Sequence, residues 1–322
     1  MKIFLPTCLT LLLLAMAGCA DVTSTFMGQY YLNAAEYAQG RSAFTSKLSE
    51  NPDDPILNYY MARFELGADN PEAARPFIEK AVRLAPDNAD YRFWEGVTWW
   101  ALMEPDKEKA AYEKALAINP EHLSANLYLG HNELDRGKNA VALDYYARVL
   151  RMDPEDPQAM FNTAVALDRL GRSPEMRRAM KQYLDLYPDG PMARLGTDML
   201  NRHGDFSWRN HMLGLRTVTL KSIEFEADSA ALTEDSKDSL AVLGSILTIK
   251  QDLDLHVVVY AQGNSTLARQ RALAIRGYVS GMHPDVSPKR LIPSWFDQPE
   301  IIKIDGRSHV KAESVSIFTK VQ

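Results

Sequence analysis

The sequence predicts a multidomain chain, an all-α superhelix of helical hairpins followed by a smaller α+β sandwich. Three observations carry this reading. Five prolines, Pro52, Pro86, Pro120, Pro154 and Pro188, recur at equal intervals, and that period marks stacked helix pairs. Small and large apolar residues recur inside each period, where two helices must cross closely. Past residue 203 that rhythm stops and period-two alternation begins, the pattern of strands.

The totals set the bounds. At 322 residues and 46% hydrophobic content the chain can hold about two cored bodies. Its formal net charge of −6 offers none of the strongly basic surface that nucleic-acid binders need, so no nucleic-acid partner is expected.

Residues 1–18 read as an export leader. Lys2 gives a positive start, and the apolar run Leu9 to Ala17 falls short of the roughly 20 residues that span a bilayer. The run closes on Met16-Ala17-Gly18-Cys19, which resembles the lipobox of bacterial lipoproteins. The resemblance implies cleavage before Cys19 and lipid on its sulfur and amine. Ala20 follows where Asp would resemble an inner-membrane retention signal, so the expected destination is the outer membrane, facing the periplasm. An ordinary secretory signal with an incidental cysteine is the alternative. The two cysteines are Cys8 and Cys19, so the mature chain has no pair for a disulfide, metal or redox motif.

Residues 19–202 read as the solenoid. The prolines fall between helices, where a missing N–H breaks no ladder, and they set units at 21–54, 55–88, 89–122, 123–156 and 157–190. Met192, Leu195, Met199 and Leu200 then recur at helical spacing and predict a capping helix over 190–202. Gly96, Trp99, Tyr112, Ala115 and Pro120, with Leu129-Gly130, Ala142, Tyr146, Val149 and Pro154 one period later, resemble the tetratricopeptide repeat. Glu108 and Met176 depart from its small-residue position. The first unit, with Gly28, Tyr31, Gly40, Phe44 and Pro52, follows the pattern least well. The resemblance implies a concave groove lined from the first helix of each unit by Tyr59, Arg63, Phe93, Val97, Leu127, His131, Phe161 and Val165, with Trp100 on the same face. Such a lining suits a protein partner that offers an apolar or amphipathic segment. Packing between adjacent repeats is the other use open to these side chains, and Trp94 and Trp99 read as core.

Residues 203–216 read as a linker and 217–322 as the α+β body. Thr217 to Phe225 alternates as a strand does. Thr233 with Glu234, Asp235 and Asp238 makes a capped, dipole-matched helix start, and Leu240, Leu243 and Leu247 share one helix face. Leu255 to Ala261 is a buried-type strand, Leu267 to Val279 a helix, and Ile301 to Ile304 and Ser314 to Phe318 final strands. This β-α-β-α-β-β order implies helices on one face of a sheet.

Ile223-Glu224-Phe225, Asp228 to Thr233, Leu267 to Ala272 and Val286 to Leu291 resemble the OmpA-like, peptidoglycan-associated domain. That resemblance implies contact with cell-wall peptide through Arg271. The loop Gln262 to Thr266 lacks the acid the family uses, leaving Asn264 to offer a weaker neutral contact. Ala312, Glu313 and Ser314 stand where a basic pair is usual. These departures weigh against wall binding and favour protein contacts.

Seven histidines are scattered without metal-ligand spacing. No Gly-x-Ser-x-Gly elbow or phosphate-cradling loop is present. His203 and His211 flank Trp208 and read as hinge or interdomain contacts. The expectation is a non-catalytic, cofactor-free outer-membrane lipoprotein scaffold. By analogy with other tetratricopeptide lipoproteins, it would recruit partners for a pilus or secretion machine. The alternative is an envelope-integrity lipoprotein that tethers peptidoglycan through the OmpA-like region.

Overall fold

A computed structural model describes residues 22–321. Cys19 and the leader lie outside the described residues. The chain divides into two compact units at Ala159/Met160.

The first unit is helical. After α1 (residues 22–33) come α2 (Tyr37–Glu50), α3 (Pro55–Gly67), α4 (Pro71–Leu84), α5 (Ala89–Ala101), α6 (Pro105–Ile118), α7 (Leu123–Asp135) and α8 (Asn139–Met152). Odd-numbered helices begin at Pro55, Ala89 and Leu123 and even-numbered ones at Pro71, Pro105 and Asn139, each start one proline period after the last. Pro52, Pro86, Pro120 and Pro154 each stand just beyond the end of an even helix, where no backbone donor is needed.

Two local devices repeat with the same period. The odd helices α3, α5 and α7, and the next one, which starts at Pro157, are each capped by a side chain. Asp54 Oδ1 accepts the N–H groups of Ile56 and Leu57 at 2.8 and 3.0 Å. Asn88 Oδ1 accepts that of Tyr91 at 3.0 Å, His122 Nδ1 that of Ala125 at 3.1 Å, and Asp156 Oδ1 that of Ala159 at 2.7 Å. Each bond satisfies an N–H that the helix start leaves orphaned. Because the His122 Nδ1 is the acceptor, its Nε2 carries the proton and donates to Asp90 Oδ1 at 3.0 Å. This bond holds the Asp90 carboxyl below its ordinary range.

The even helices have no such side-chain bond. They are set by a left-handed residue in the preceding turn: Ala35, Asp69, Met103, Gly137 and Gly171, with φ between 54° and 74° across the set. Glycine adopts this conformation freely. At the three other positions it costs about 1 kcal/mol each.

Close approach of helices rests on glycine under tyrosine. A Cβ on Gly96 would sit 2.2 Å from the Tyr112 ring, and one on Gly130 2.7 Å from Tyr146. Glu108 occupies a position where a small residue was expected. It is buried, and its Oε2 accepts a 2.9 Å bond from Asn132 Nδ2. The same amide donates to the Pro105 carbonyl at 3.1 Å, so this departure ties α6 to α7. Burial pushes the Glu108 carboxyl up.

The second unit holds α9 (Pro157–Arg169) from Met160 onward, α10 (Ser173–Leu186) and α11 (Gly190–Arg202), then the β1–β2 hairpin (Trp208–Leu213, Arg216–Lys221). It continues with α12 (Glu234–Ile249), β3 (Leu253–Ala261), α13 (Ser265–Met282) and β4 (Leu291–Phe296). A hairpin of β5 (Glu300–Ile304) and β6 (Arg307–Lys311) and the last strand β7 (Glu313–Val321) complete it. The central sheet runs β4-β3-β7, with β3 parallel to β4 through α13 and antiparallel to β7. Leu240, Leu243, Leu247, Ala268, Ala272 and Ile275 of the helices bury against Leu255, Val257, Val259 and Ile317 of the sheet.

The linker expected over 203–216 is corrected: it contains β1 and packs on both sides. Asn201 Nδ2 donates to the carbonyls of Asp205 (3.0 Å) and Trp208 (2.8 Å). Asn210 Nδ2 donates to the Arg194 carbonyl (3.0 Å) and to Asp198 (2.8 Å). Lys221 pairs with Asp185 at 3.0 Å. Arg209 forks onto Glu300 with two bonds of 3.0 Å. The strand reading over 217–225 also shortens, since β2 ends at Lys221 and Phe225 retains an isolated bridge to Leu232. β4 and β6 are strands the alternation did not reveal.

Candidate protein-interaction groove

Residue Arg63 on α3 and residues Val97 and Trp100 on α5 come together with α1. One period separates Arg63 from Val97, and one separates Leu66 from Trp100, so each pair occupies equivalent positions on successive odd helices. They line a cleft of about 370 Å³ together with Leu32, Asn33 and Trp94. Trp100 is 57% exposed. The Arg63 guanidinium lies 4.3 Å from the centroid of the Trp94 ring and donates a 3.0 Å bond to Tyr59 Oη. Its buried Nε–H has no acceptor among the described residues. Burial pushes the Tyr59 hydroxyl up to about 12, so it stays protonated at neutral pH. The cleft therefore offers a fixed cation between aromatic faces beside an apolar wall.

Other expected lining residues sit elsewhere. Phe93, Leu127 and Phe161 are buried, a correction to their place on an open face. Phe93 packs at 5.7 Å on Tyr112 and 5.4 Å on Tyr128, filling the space between one hairpin and the next. Phe161 packs at 5.4 Å on Tyr183 in the second unit, where Val165 is half-buried. His131 is half-buried between Tyr128 and Tyr146, and burial pulls its pKa down. Trp94, read as core, and Leu66 were missed as lining residues. Translating Trp100 back by one period would have found Leu66.

In the second unit, Arg271 is 2% exposed. Its Nε donates to the Ser229 carbonyl and its Nη1 to Glu313, each at 2.8 Å, and its guanidinium lies 4.9 Å from the Phe225 ring centroid. It borders a cavity of about 240 Å³ with Glu224, Tyr260 and Glu313. Asn264 does not line that cavity. Its Oδ1 accepts the Leu267 N–H at 2.9 Å and caps α13, which corrects its pairing with Arg271. His203 bonds to Asp168 at 2.6 Å, whereas His211 is buried and donates to the Ile317 carbonyl at 3.3 Å. The two histidines thus serve separate structural contacts. Among the described residues no group of three or more His, Cys, Asp or Glu could hold a metal.

Residues 27–89, 61–122 and 127–191 match the family profile described as Tetratricopeptide repeat, together half of the chain. The chain belongs to the tetratricopeptide-repeat family. Members of that family present stacked helical hairpins to other proteins. Human Protein O-mannosyl-transferase TMTC3 is 29% identical over 122 residues, and the match covers 36% of this chain but only 13% of that protein. Among solved structures, PilW, described as a widely conserved type IV pilus biogenesis factor, aligns with a TM-score of 0.53 at 20% identity. That alignment covers 58% of this chain and 87% of PilW. PilF of Pseudomonas aeruginosa aligns with a TM-score of 0.53 at 16% identity, covering 72% of this chain and 91% of PilF. Both likenesses concern the fold. Among the described residues no helix is long and apolar enough to cross a membrane.

Proposed function

We propose that this tetratricopeptide protein is a non-catalytic outer-membrane lipoprotein, anchored through Cys19 and facing the periplasm. Its groove recruits a protein component of an envelope machine, a pilus or secretion apparatus. The observation that carries the reading is the cleft at Arg63, Val97 and Trp100, which joins an exposed indole to a fixed cation. An amphipathic segment fits it, with an apolar side chain against Trp100 and an acceptor toward Arg63. The lipobox-like Met16 to Cys19 supports the location. The fold shared with PilW and PilF supports the machine by analogy.

A photo-crosslinking residue in place of Trp100, in cells with an intact envelope, tests this. A crosslink to a pilus, secretion or outer-membrane component is expected, and Trp100→Glu should abolish capture while leaving the helical circular dichroism unchanged. Crosslinks to cytoplasmic proteins alone would overturn the reading.

The cavity at Arg271 supports a second reading, a peptidoglycan tether. There a ligand carboxylate would have to displace Glu313 from the guanidinium. Co-sedimentation with purified sacculi decides it, since a tether must pellet with them.

A further inference from the structure

The helix α1 has two apolar faces, and only one of them is used within the fold. Met27, Tyr31 and Leu32 pack against the cluster of Phe44, Leu57, Tyr60 and Phe64, with Gly28 pressed against Tyr60. On the other face Val22, Phe26 and Tyr30 follow at four-residue spacing, 71%, 75% and 56% exposed. Residues at that spacing form one stripe along a helix.

The surface around this stripe is also out of character with the chain. Between Val22 and Ala35 there is no charged residue, whereas 24% of the whole sequence is charged, which would place about three in a stretch of that length. Thr23, Thr25, Gln29 and Asn33 are the polar neighbours, all exposed and uncharged. A neutral stripe carrying Phe and Tyr suits the headgroup region of a bilayer, where the tyrosine ring can keep its hydroxyl in water.

The chain ahead of the helix specifies what covers the stripe. Cys19 stands three positions before Val22. A fully extended chain reaches about 3.5 Å per residue, so an acyl group on Cys19 holds the start of α1 within about 10 Å of the lipid surface. That distance matches the depth of about 5–10 Å at which interfacial helices lie.

We propose that α1 lies in the membrane interface beside the lipid anchor, with Val22, Phe26 and Tyr30 against lipid. This rests on the lipoprotein reading above. It makes the first hairpin a membrane-seated base and fixes the orientation in which the cleft at Arg63 meets a partner.

Because acylation leaves the mature chain without a free thiol, a single introduced cysteine can be labelled cleanly. Full-length Phe26→Cys and Asp87→Cys chains, expressed with their leader, would be given a polarity-sensitive dye and reconstituted into phosphatidylethanolamine–phosphatidylglycerol vesicles. Blue-shifted emission and several-fold stronger quenching by spin-labelled lipid are expected at position 26 relative to position 87, and again in a Tyr30→Cys chain. Equal quenching at 26, 30 and 87 would overturn the proposal. So would a blue shift that lipid quenchers leave untouched and that grows with protein concentration, which would assign the face to a second copy. Labelled palmitate tests the anchor separately: no incorporation at Cys19 overturns the lipoprotein reading and this proposal with it. Incorporation with Phe26 in water overturns this proposal alone.

Discussion

The two units of the chain are held by bonds of different reach. In the first, the ties join neighbours along the sequence: Asn126 bonds the Pro120 carbonyl at the end of the preceding turn, and Glu108 bonds Asn132 on the next helix. In the second, Arg209 and His211 reach across most of the unit's length, to Glu300 and Ile317. A stack of hairpins spreads its stability over many similar local contacts. The β-rich region adds to its buried core a concentration of contacts that close long loops.

The largest expected effect tests this concentration. Arg209→Met would leave Glu300, with a side chain 10% exposed, as a buried carboxylate without its fork, at a cost of about 3–5 kcal/mol. Urea unfolding should show the shift in chains that keep only Trp208 and Trp295. An equal shift in chains that keep only Trp94, Trp99 and Trp100 would mean that the two units unfold as one and would break the contrast.

Next is pH. Burial holds the His211 pKa at about 4, against 6.5 when exposed. Between those values the unfolded chain binds a proton that the folded chain refuses, so stability rises with pH across this window. Lowering the pH through it should therefore remove up to about 3 kcal/mol from the second unit. His211→Asn should flatten that slope in urea titrations run at several pH values.

In the first unit, Gly96→Ala should cost about 2 kcal/mol by forcing the Tyr112 ring from its seat. The same titrations read it, and they should show it confined to the helical transition. The smallest effect is a gain. Met103 is 86% exposed in a left-handed turn, so Met103→Gly should add about 1 kcal/mol, and Gly137→Ala should remove a similar amount.

The same contrast explains what could be read in advance. The prolines, the glycine–tyrosine pairs and the capping helix were legible because each depends on residues within one period. The cleft was legible in part. Arg63, Val97 and Trp100 gather as the repeat geometry implies, but Phe93, Leu127 and Phe161 turn inward, because a large apolar side chain at that position also meets the following hairpin. The strand β1 was hidden. Trp208 to Leu213 shows no clean alternation, since its burial pattern is set by Arg209 and His211 finding partners far along the chain. Glu313 could be seen as a departure from the OmpA-like pattern. That it binds Arg271 depended on β7 lying against β3.

The periodic placement of the caps at 54, 88, 122 and 156 and of the left-handed turns at 69, 103, 137 and 171 makes each repeat block grammatically complete. Excising one block between equivalent points, such as residues 88–121, would join Asp87 to His122 and leave a capping side chain at the head of the next helix. Lineages of this sequence can therefore shorten or lengthen the helical stack in whole steps, by recombination alone, without inventing a new junction.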